Sequence, residues 1–209
     1  MDEQLIWNVN TREDAIKKAK TDRFDLIIIG GGITGAGVAR EAALRNISFC
    51  LVDKNDFGFG TSSRSSKLAH GGIRYLANGE LKIVRESTTE RNWLRVHFPN
   101  LIRPLGFVYT AFEGGKDKSY MVRIGTFLYD LLSDWFSEFK NFKKRKFYSK
   151  KELKKIEPKV RTDGLKVAGI YYDTNVDDSR LTLESIKEAL VYSEGKSVAI
   201  NYCKVEQLS

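Results

Sequence analysis

Three observations predict an α/β fold built around a parallel sheet. Two apolar runs, Phe24 to Ile29, broken only by Asp25, and Ile47 to Val52, flank a helical stretch from Ile33 to Arg45. Three consecutive glycines, Gly30 to Gly32, separate the first run from that helix. Continuous rather than alternating hydrophobicity marks strands covered on both faces, and a crossover helix joins parallel neighbours.

The remaining elements follow in order. Leu81 to His97 reads as a weakly patterned helix, and Leu105 to Phe112 as a strand. A stronger helix opens near Ser119, where Met121, Ile124, Leu128, Leu131 and Trp135 recur at steps of three and four. Phe127, Leu132, Phe136 and Phe139 widen its apolar stripe, while Gly125 weakens it. Ser149 followed by Glu152 is a capping-box signature for a short helix that Pro158 ends. Val167 to Asp173 and Ser197 to Val205, rich in Val, Ile and Tyr, read as strands, and between them Asp177 or Asp178 caps a helix that stops before Gly195.

Composition bounds the function classes. The chain has 209 residues, a formal charge of +8 and 42% hydrophobic residues, enough for a core, which excludes disorder and collagen. The longest charge-free apolar stretch, Leu26 to Ala39, is shorter than the roughly 20 residues of a membrane span. Residues 1 to 23 are rich in charge and lack an apolar segment, so they do not read as a secretory signal, and the cytoplasm is the expected location. Cys50 and Cys203 both fall in predicted strands and fit reduced thiols. His70 and His97 are the two histidines, and no metal site is expected.

Gly30-Gly31-Gly32-Ile33-Thr34-Gly35 fits the dinucleotide fingerprint of a Rossmann-like unit. Gly30 suits the tight turn, Gly32 the approach of backbone to a pyrophosphate, and Gly35 the packing of helix on strand. Asp53 ends the second strand, where a carboxylate can accept hydrogen bonds from ribose hydroxyls. The pyrophosphate would sit on the helix N-terminus, where unpaired amides and the dipole favour an anion. FAD and NAD share this half, so the fingerprint alone does not separate them.

The next segment does. Gly60-Thr61-Ser62-Ser63-Arg64-Ser65-Ser66-Lys67-Leu68-Ala69-His70-Gly71-Gly72-Ile73-Arg74-Tyr75-Leu76, with Ile29 to Ala43, resembles the FAD-dependent glycerol-3-phosphate dehydrogenases and oxidases. The likeness continues through Met121 to Gly125, Tyr129-Asp130, Asp163 to Leu165, Asp177 to Leu181 and Asn201-Tyr202. It implies a Rossmann-like FAD-binding domain of the glutathione-reductase/D-amino-acid-oxidase type with part of a mixed-sheet substrate (cap) domain. The implied boundaries are an extension over 1–23, FAD-binding domain over 24–100, cap domain over 101–175 and a return to the FAD-binding domain over 176–209.

The resemblance further implies oxidation of sn-glycerol 3-phosphate to dihydroxyacetone phosphate, with hydride passing from C2 to flavin N5 and electrons going on to quinone or O2. It places Thr61, Ser62 and Ser63 against the FAD pyrophosphate and ribityl chain, Lys67 and Leu68 beside the flavin, and Val205 near adenine. Gly71-Gly72 would let backbone approach a flat ring. His70, with an ordinary pKa of about 6.5, is the candidate base for the C2 hydroxyl. Arg74 would hold the substrate phosphate through its planar fork, and Tyr75 would hydrogen-bond the substrate.

Complete members of the resembled family are about twice this length, so this reads as an N-terminal half whose turnover requires a C-terminal partner segment. The run Lys140 to Lys155 holds nine basic residues against Glu152 alone, the whole net charge. Interleaved with Phe142, Phe147 and Tyr148, it suits an anionic membrane surface on the inner face of the cell membrane, or a solvated face; nucleic acid is not expected. The alternatives are a related amine or amino-acid oxidase, and a non-catalytic flavin-binding subunit or truncated product.

Overall fold

Leu26–Ile29 (β1) and Phe49–Val52 (β2) pair in parallel, Leu26 opposite Phe49 and Ile29 opposite Val52. The computed structural model describes residues 11–135 and 138–207. Between the two strands runs the helix Ile33–Leu44 (α2), and Val198–Ile200 (β7) adds to the other side of β2, giving the parallel order β1-β2-β7. Ala36, Ala39, Ala42 and Ala43 line the buried face of α2, and their small side chains let Asp178–Tyr192 (α6) pack closely through Ile186 and Ala189.

The described part of the extension is structured. Arg12–Thr21 (α1) packs Ala15, Ile16 and Ala19 against a cluster of Cys50, Val52, Val198 and Ile200. Arg12 also donates to the Asn201 side chain at 2.5 Å and to its carbonyl at 2.8 Å.

These elements form one unit, residues 1–67 with 177–209, and residues 68–176 form a second. The first division falls after Lys67, whereas the sequence reading draws it after residue 100. The reason is local: Leu68–Ala69 (β3) pairs with Leu165–Val176 (β6) of the second unit, and Leu81–His97 (α3) packs within that unit.

The second unit is built on antiparallel pairing. Ile102–Phe112 (β4) lies along β6 from Ile102 opposite Val176 to Phe112 opposite Leu165, with a bulge at Ala111/Phe112. Lys146–Tyr148 (β5) pairs with the other side of β6. Ser149 and Glu152 form the expected capping box at the start of Lys150–Ile156 (α5).

The helix Ser119–Asp134 (α4) corrects an expectation. Its buried residues are Val122, Thr126, Tyr129, Asp130 and Ser133, while Met121, Ile124, Phe127 and Trp135 of the apolar stripe are 48 to 54% exposed. The polar face is the buried one because it meets hydrogen-bonding partners on α3 and β6. Phe136 lies outside the described residues.

The last predicted strand is also shorter than expected. It ends at Ile200, and Tyr202 turns the chain through a positive φ of 51°, so Cys203 and Val205 lie in irregular backbone. Tyr202 N donates to Asn55 O at 3.0 Å and Cys203 N to Asp53 O at 2.7 Å, tying this segment to the end of β2.

Candidate functional site

In the first unit, the turn from β1 into α2 requires its glycines for distinct reasons. Gly30 has φ of 108°, a region that side chains avoid. A Cβ on Gly35 would overlap the Gly30 carbonyl oxygen, and one on Gly31 would overlap the Phe57 ring. Gly32 is the extended N-cap residue of α2, and a Cβ there would stand 3.2 Å from Ser62 Oγ. No acidic residue of α2 itself occupies its first turn, so the helix presents its amides and positive dipole end with no carboxylate of its own beside them.

Asp53 braces this turn. One carboxylate oxygen accepts from Gly31 N at 2.7 Å and the other from Asn55 N at 2.8 Å. Beside it, at the C-terminal ends of β1 and β2, an open cavity of about 380 Å³ is lined by Ile29, Gly30, Val52, Asp53, Cys203 and Val205, among others. Ligands of open parallel sheets bind at this edge, and the volume lies in the range of small-molecule sites. Gly30, Asp53 and Val205 therefore share one cavity despite their separation in sequence.

The donor set fits the adenosine diphosphate half of a dinucleotide. A Cβ on Gly30 would meet nothing within 4 Å, so backbone at that turn is open to an approaching group. A helix N-terminus stands beside it and a carboxylate closes the far side. Ser62 Oγ accepts from Ile33 N at 2.9 Å, marking the position from which an oxygen reaches the first turn of α2.

Thr61–Ser63 forms a single 3₁₀ turn. Thr61 is exposed, whereas Ser63 Oγ donates back to Phe59 O at 3.1 Å. Lys67 adopts φ of 57°, and its Nζ donates to Ser63 O at 2.9 Å and to a carboxylate oxygen of Asp178. Ser65 Oγ donates to the other Asp178 oxygen at 2.6 Å. Burial works against charge on Asp178, but hydrogen bonds from Lys67, Ser65 and Ser179 N prevail and hold its carboxyl below the usual range. Asp177, not Asp178, is the cap of α6, accepting from Arg180 N at 3.1 Å. The cap reading of the Asp177-Asp178 pair concealed this clamp.

In the second unit, Leu68 lies in β3, and His70, Arg74 and Tyr75 are exposed, the last two on a 3₁₀ segment, Ile73–Asn78. Protein packing by itself requires the two glycines between them. A Cβ on Gly71 would overlap Thr88 Cγ2 and lie 2.5 Å from Tyr129 Oη, and Gly72 has φ of 67° with Tyr75 Cδ2 2.5 Å from its Cβ position. Burial raises Tyr171 to about 12 and also raises Tyr109, against the opposing pull of the Arg74 charge on both.

Three buried residues escaped the sequence reading: Arg91, Tyr129 and Asp173. Arg91 Nη1 lies 3.0 Å from Asp173 Oδ1, and Tyr129 Oη donates to Asp173 Oδ2 at 2.8 Å. Tyr129-Asp130 lies among the residues that carry the family resemblance, but nothing in the sequence pairs it with positions 91 and 173.

Comparison with known proteins agrees with this geometry. The family model of FAD-dependent oxidoreductases (DAO) matches residues 25–208. The aerobic glycerol-3-phosphate dehydrogenase of Staphylococcus aureus (strain USA300) is 39% identical over 198 residues, 95% of this chain and 34% of that protein. The chain thus spans about a third of the length of the curated relatives it matches. The glycerol-3-phosphate dehydrogenase of Bacillus halodurans, solved with FAD, is 32% identical with a TM-score of 0.63, covering 94% of this chain and 30% of that one. L-proline dehydrogenase of P. horikoshii has the same TM-score of 0.63 at 16% identity, over 88% of this chain and 46% of that one, a likeness of fold alone. With the glycine turn, its carboxylate brace and a match running from Asp25 almost to the last residue, the chain belongs to the FAD-dependent oxidoreductase family.

Proposed function

We propose that this chain takes part in the FAD-dependent oxidation of sn-glycerol 3-phosphate to dihydroxyacetone phosphate. The observation that carries the reading is the 39% identity, over 95% of the chain, to a protein named aerobic glycerol-3-phosphate dehydrogenase. Unit 1 is read as the FAD-binding part, with Gly30, Gly32, Gly35, Asp53, Thr61, Ser62, Ser63, Lys67 and Val205 as its cofactor-facing set, to which Leu68 of the second unit is added. FAD, when bound, supplies the acceptor for the C2 hydride. Arg74 holds the substrate phosphate by charge-assisted hydrogen bonds, and Tyr75 orients a hydroxyl. His70 takes the proton of the C2 hydroxyl as the carbonyl forms. The electrons pass on to quinone or O2, and turnover requires a C-terminal partner segment.

The test is the visible spectrum of the chain with FAD, before and after anaerobic glycerol 3-phosphate. Bleaching by glycerol 3-phosphate, and not by proline or glycine, is the expected result once the C-terminal partner segment is supplied, with little or none for the chain alone. Bleaching by an amino acid instead moves the reading to the amine-oxidising side of the family.

The surface of the second unit supports peripheral attachment at the cytoplasmic face of a membrane. Met121, Ile124, Phe127 and Trp135 form an exposed apolar stripe on α4, and the basic run Lys140 to Lys155 follows it in sequence. Among the described residues, no helix is long and apolar enough to cross a bilayer. Flotation with anionic liposomes that weakens with salt is expected; no flotation at low salt removes the reading.

A further inference from the structure

We propose that Arg91, Tyr129 and Asp173 are positioning residues that set the orientation of His70 and Arg74 by gripping the amide between them. The inference rests on the function proposed above and extends it to groups that touch neither substrate nor cofactor. Gly71 is buried, and its N–H is shared between Tyr129 Oη at 3.0 Å and Asp173 Oδ1 at 3.1 Å. It sits directly after His70 and two residues before the 3₁₀ segment that carries Arg74. Whatever fixes this peptide plane fixes the departure of the chain on both sides.

The grip is complete in its hydrogen bonding. Tyr129 donates to Asp173 and accepts from Gly71 N and from Arg91 Nη1, the latter at 3.1 Å. Arg91 spends its remaining donors on Tyr172 O at 3.1 Å, Ser133 Oγ at 2.8 Å and Asn92 Oδ1 at 2.9 Å. α3, α4 and β6 thus converge on one loop peptide. Ala69, two residues before Gly71, is held as well, because Thr174 Oγ1 donates to its carbonyl oxygen and Ala69 stands in register with Thr174. The Gly71 Cα has no room to move toward Thr88 or Tyr129.

Stability alone is a poor reason for this arrangement. The Arg91 and Asp173 side chains are 1% and 4% exposed, and ion pairs so buried often lose nothing when replaced by apolar residues of similar volume. An apolar core, however, has no acceptors for the Gly71 amide. A lone carboxylate would supply one but would repel an anionic substrate, and Arg91 cancels that charge. The pair with its tyrosine bridge is therefore a neutral, directional acceptor suited to holding a loop beside a phosphate-binding arginine.

Tyr129→Phe in the full chain is the direct test, since it keeps the ring and removes the bridging hydroxyl. The Gly71 amide is expected to exchange with solvent about tenfold faster or more, and the dissociation constant for glycerol 3-phosphate, read from the NMR shifts of His70 and Arg74, to rise about tenfold. A folded variant with unchanged Gly71 exchange overturns the grip. Faster exchange with unchanged affinity overturns the positioning role and leaves a structural one. If the unaltered chain binds no glycerol 3-phosphate, the function reading and the substrate clause fall, while the exchange arm still decides the grip. Should Tyr129→Phe not fold, exchange in the unaltered chain decides: Gly71 among the slowest amides of its unit upholds the grip, and exchange as fast as the exposed 113–118 loop refutes it.

Discussion

Gly35 stands against Gly30 so closely that a Cβ on Gly35 would overlap the Gly30 carbonyl oxygen. Helix α2 cannot retreat, because its alanine face is packed on α6. Gly35→Ala should therefore destabilise the chain by about 1–3 kcal/mol and lower Tm by roughly 3–10 °C. Gly37→Ala, on the same helix but with nothing within 4 Å of the added carbon, should act with the opposite sign and stabilise by up to about 1 kcal/mol. Thermal melts followed by circular dichroism read both, and equal shifts would refute the close approach.

The Asp178 clamp makes a prediction about pH. Its carboxyl is held low in the folded chain, so the stabilisation it adds is present above the ordinary carboxylate pKa of about 4 and is lost as pH falls through the lower folded value. The Lys67 amide, which donates to Ser65 Oγ at 3.0 Å, should stay protected at neutral pH and open in acid. Asp178→Asn should open it at neutral pH and flatten the acid dependence.

Two thiols in one cluster should react differently. Burial raises Cys50, with the neighbouring Cys203 thiol adding to it, while Cys203 itself is half-buried in irregular backbone. Iodoacetamide should label Cys203 in the native chain and Cys50 only after denaturation. Mass spectrometry of the peptides decides, and equal labelling would contradict the packing described for β2.

At alkaline pH the buried tyrosines become informative. Tyr171 is raised to about 12, so its contribution is complete below the ordinary tyrosine value and is lost as pH rises through about 12. Tyr129 is raised in the same direction by burial. The last steps of phenolate absorbance should coincide with loss of structure, and Tyr171→Phe should remove one of them.

For the proposed reaction, His70→Ala should slow flavin reduction about 10²- to 10⁴-fold if the exposed imidazole is the base. Stopped-flow absorbance of the FAD-loaded chain, completed by its C-terminal partner segment, under anaerobic glycerol 3-phosphate gives the rate. A near-normal rate would leave His70 as a surface residue.

The legible parts of the fold were those whose signal is local. Continuous apolar runs around three glycines marked β1, α2 and β2, and Ser149 with Glu152 marked the start of α5. Asp53 could be placed beside the glycine turn because parallel pairing puts the end of β2 next to the end of β1. The orientation of α4 was hidden because periodicity counts apolar side chains, and its buried face is held instead by partners at Arg91 and Asp173, distant in sequence. The end of β7 was hidden because a single positive φ at Tyr202 breaks an otherwise strand-like run.

The order of β1, β2 and β7 also bears on how the chain is made. Phe49 N donates to Ser197 Oγ across 148 residues, and the whole second unit is encoded between them. At roughly 5–20 residues per second, a ribosome needs about 7–30 s to deliver the partner of β2 after β2 itself. Residues 68–176 can complete their own pairing during that wait. Phe49 and Leu51 meanwhile have β1 on one side and no strand on the other, so the window before β7 emerges is when a chaperone would be needed most.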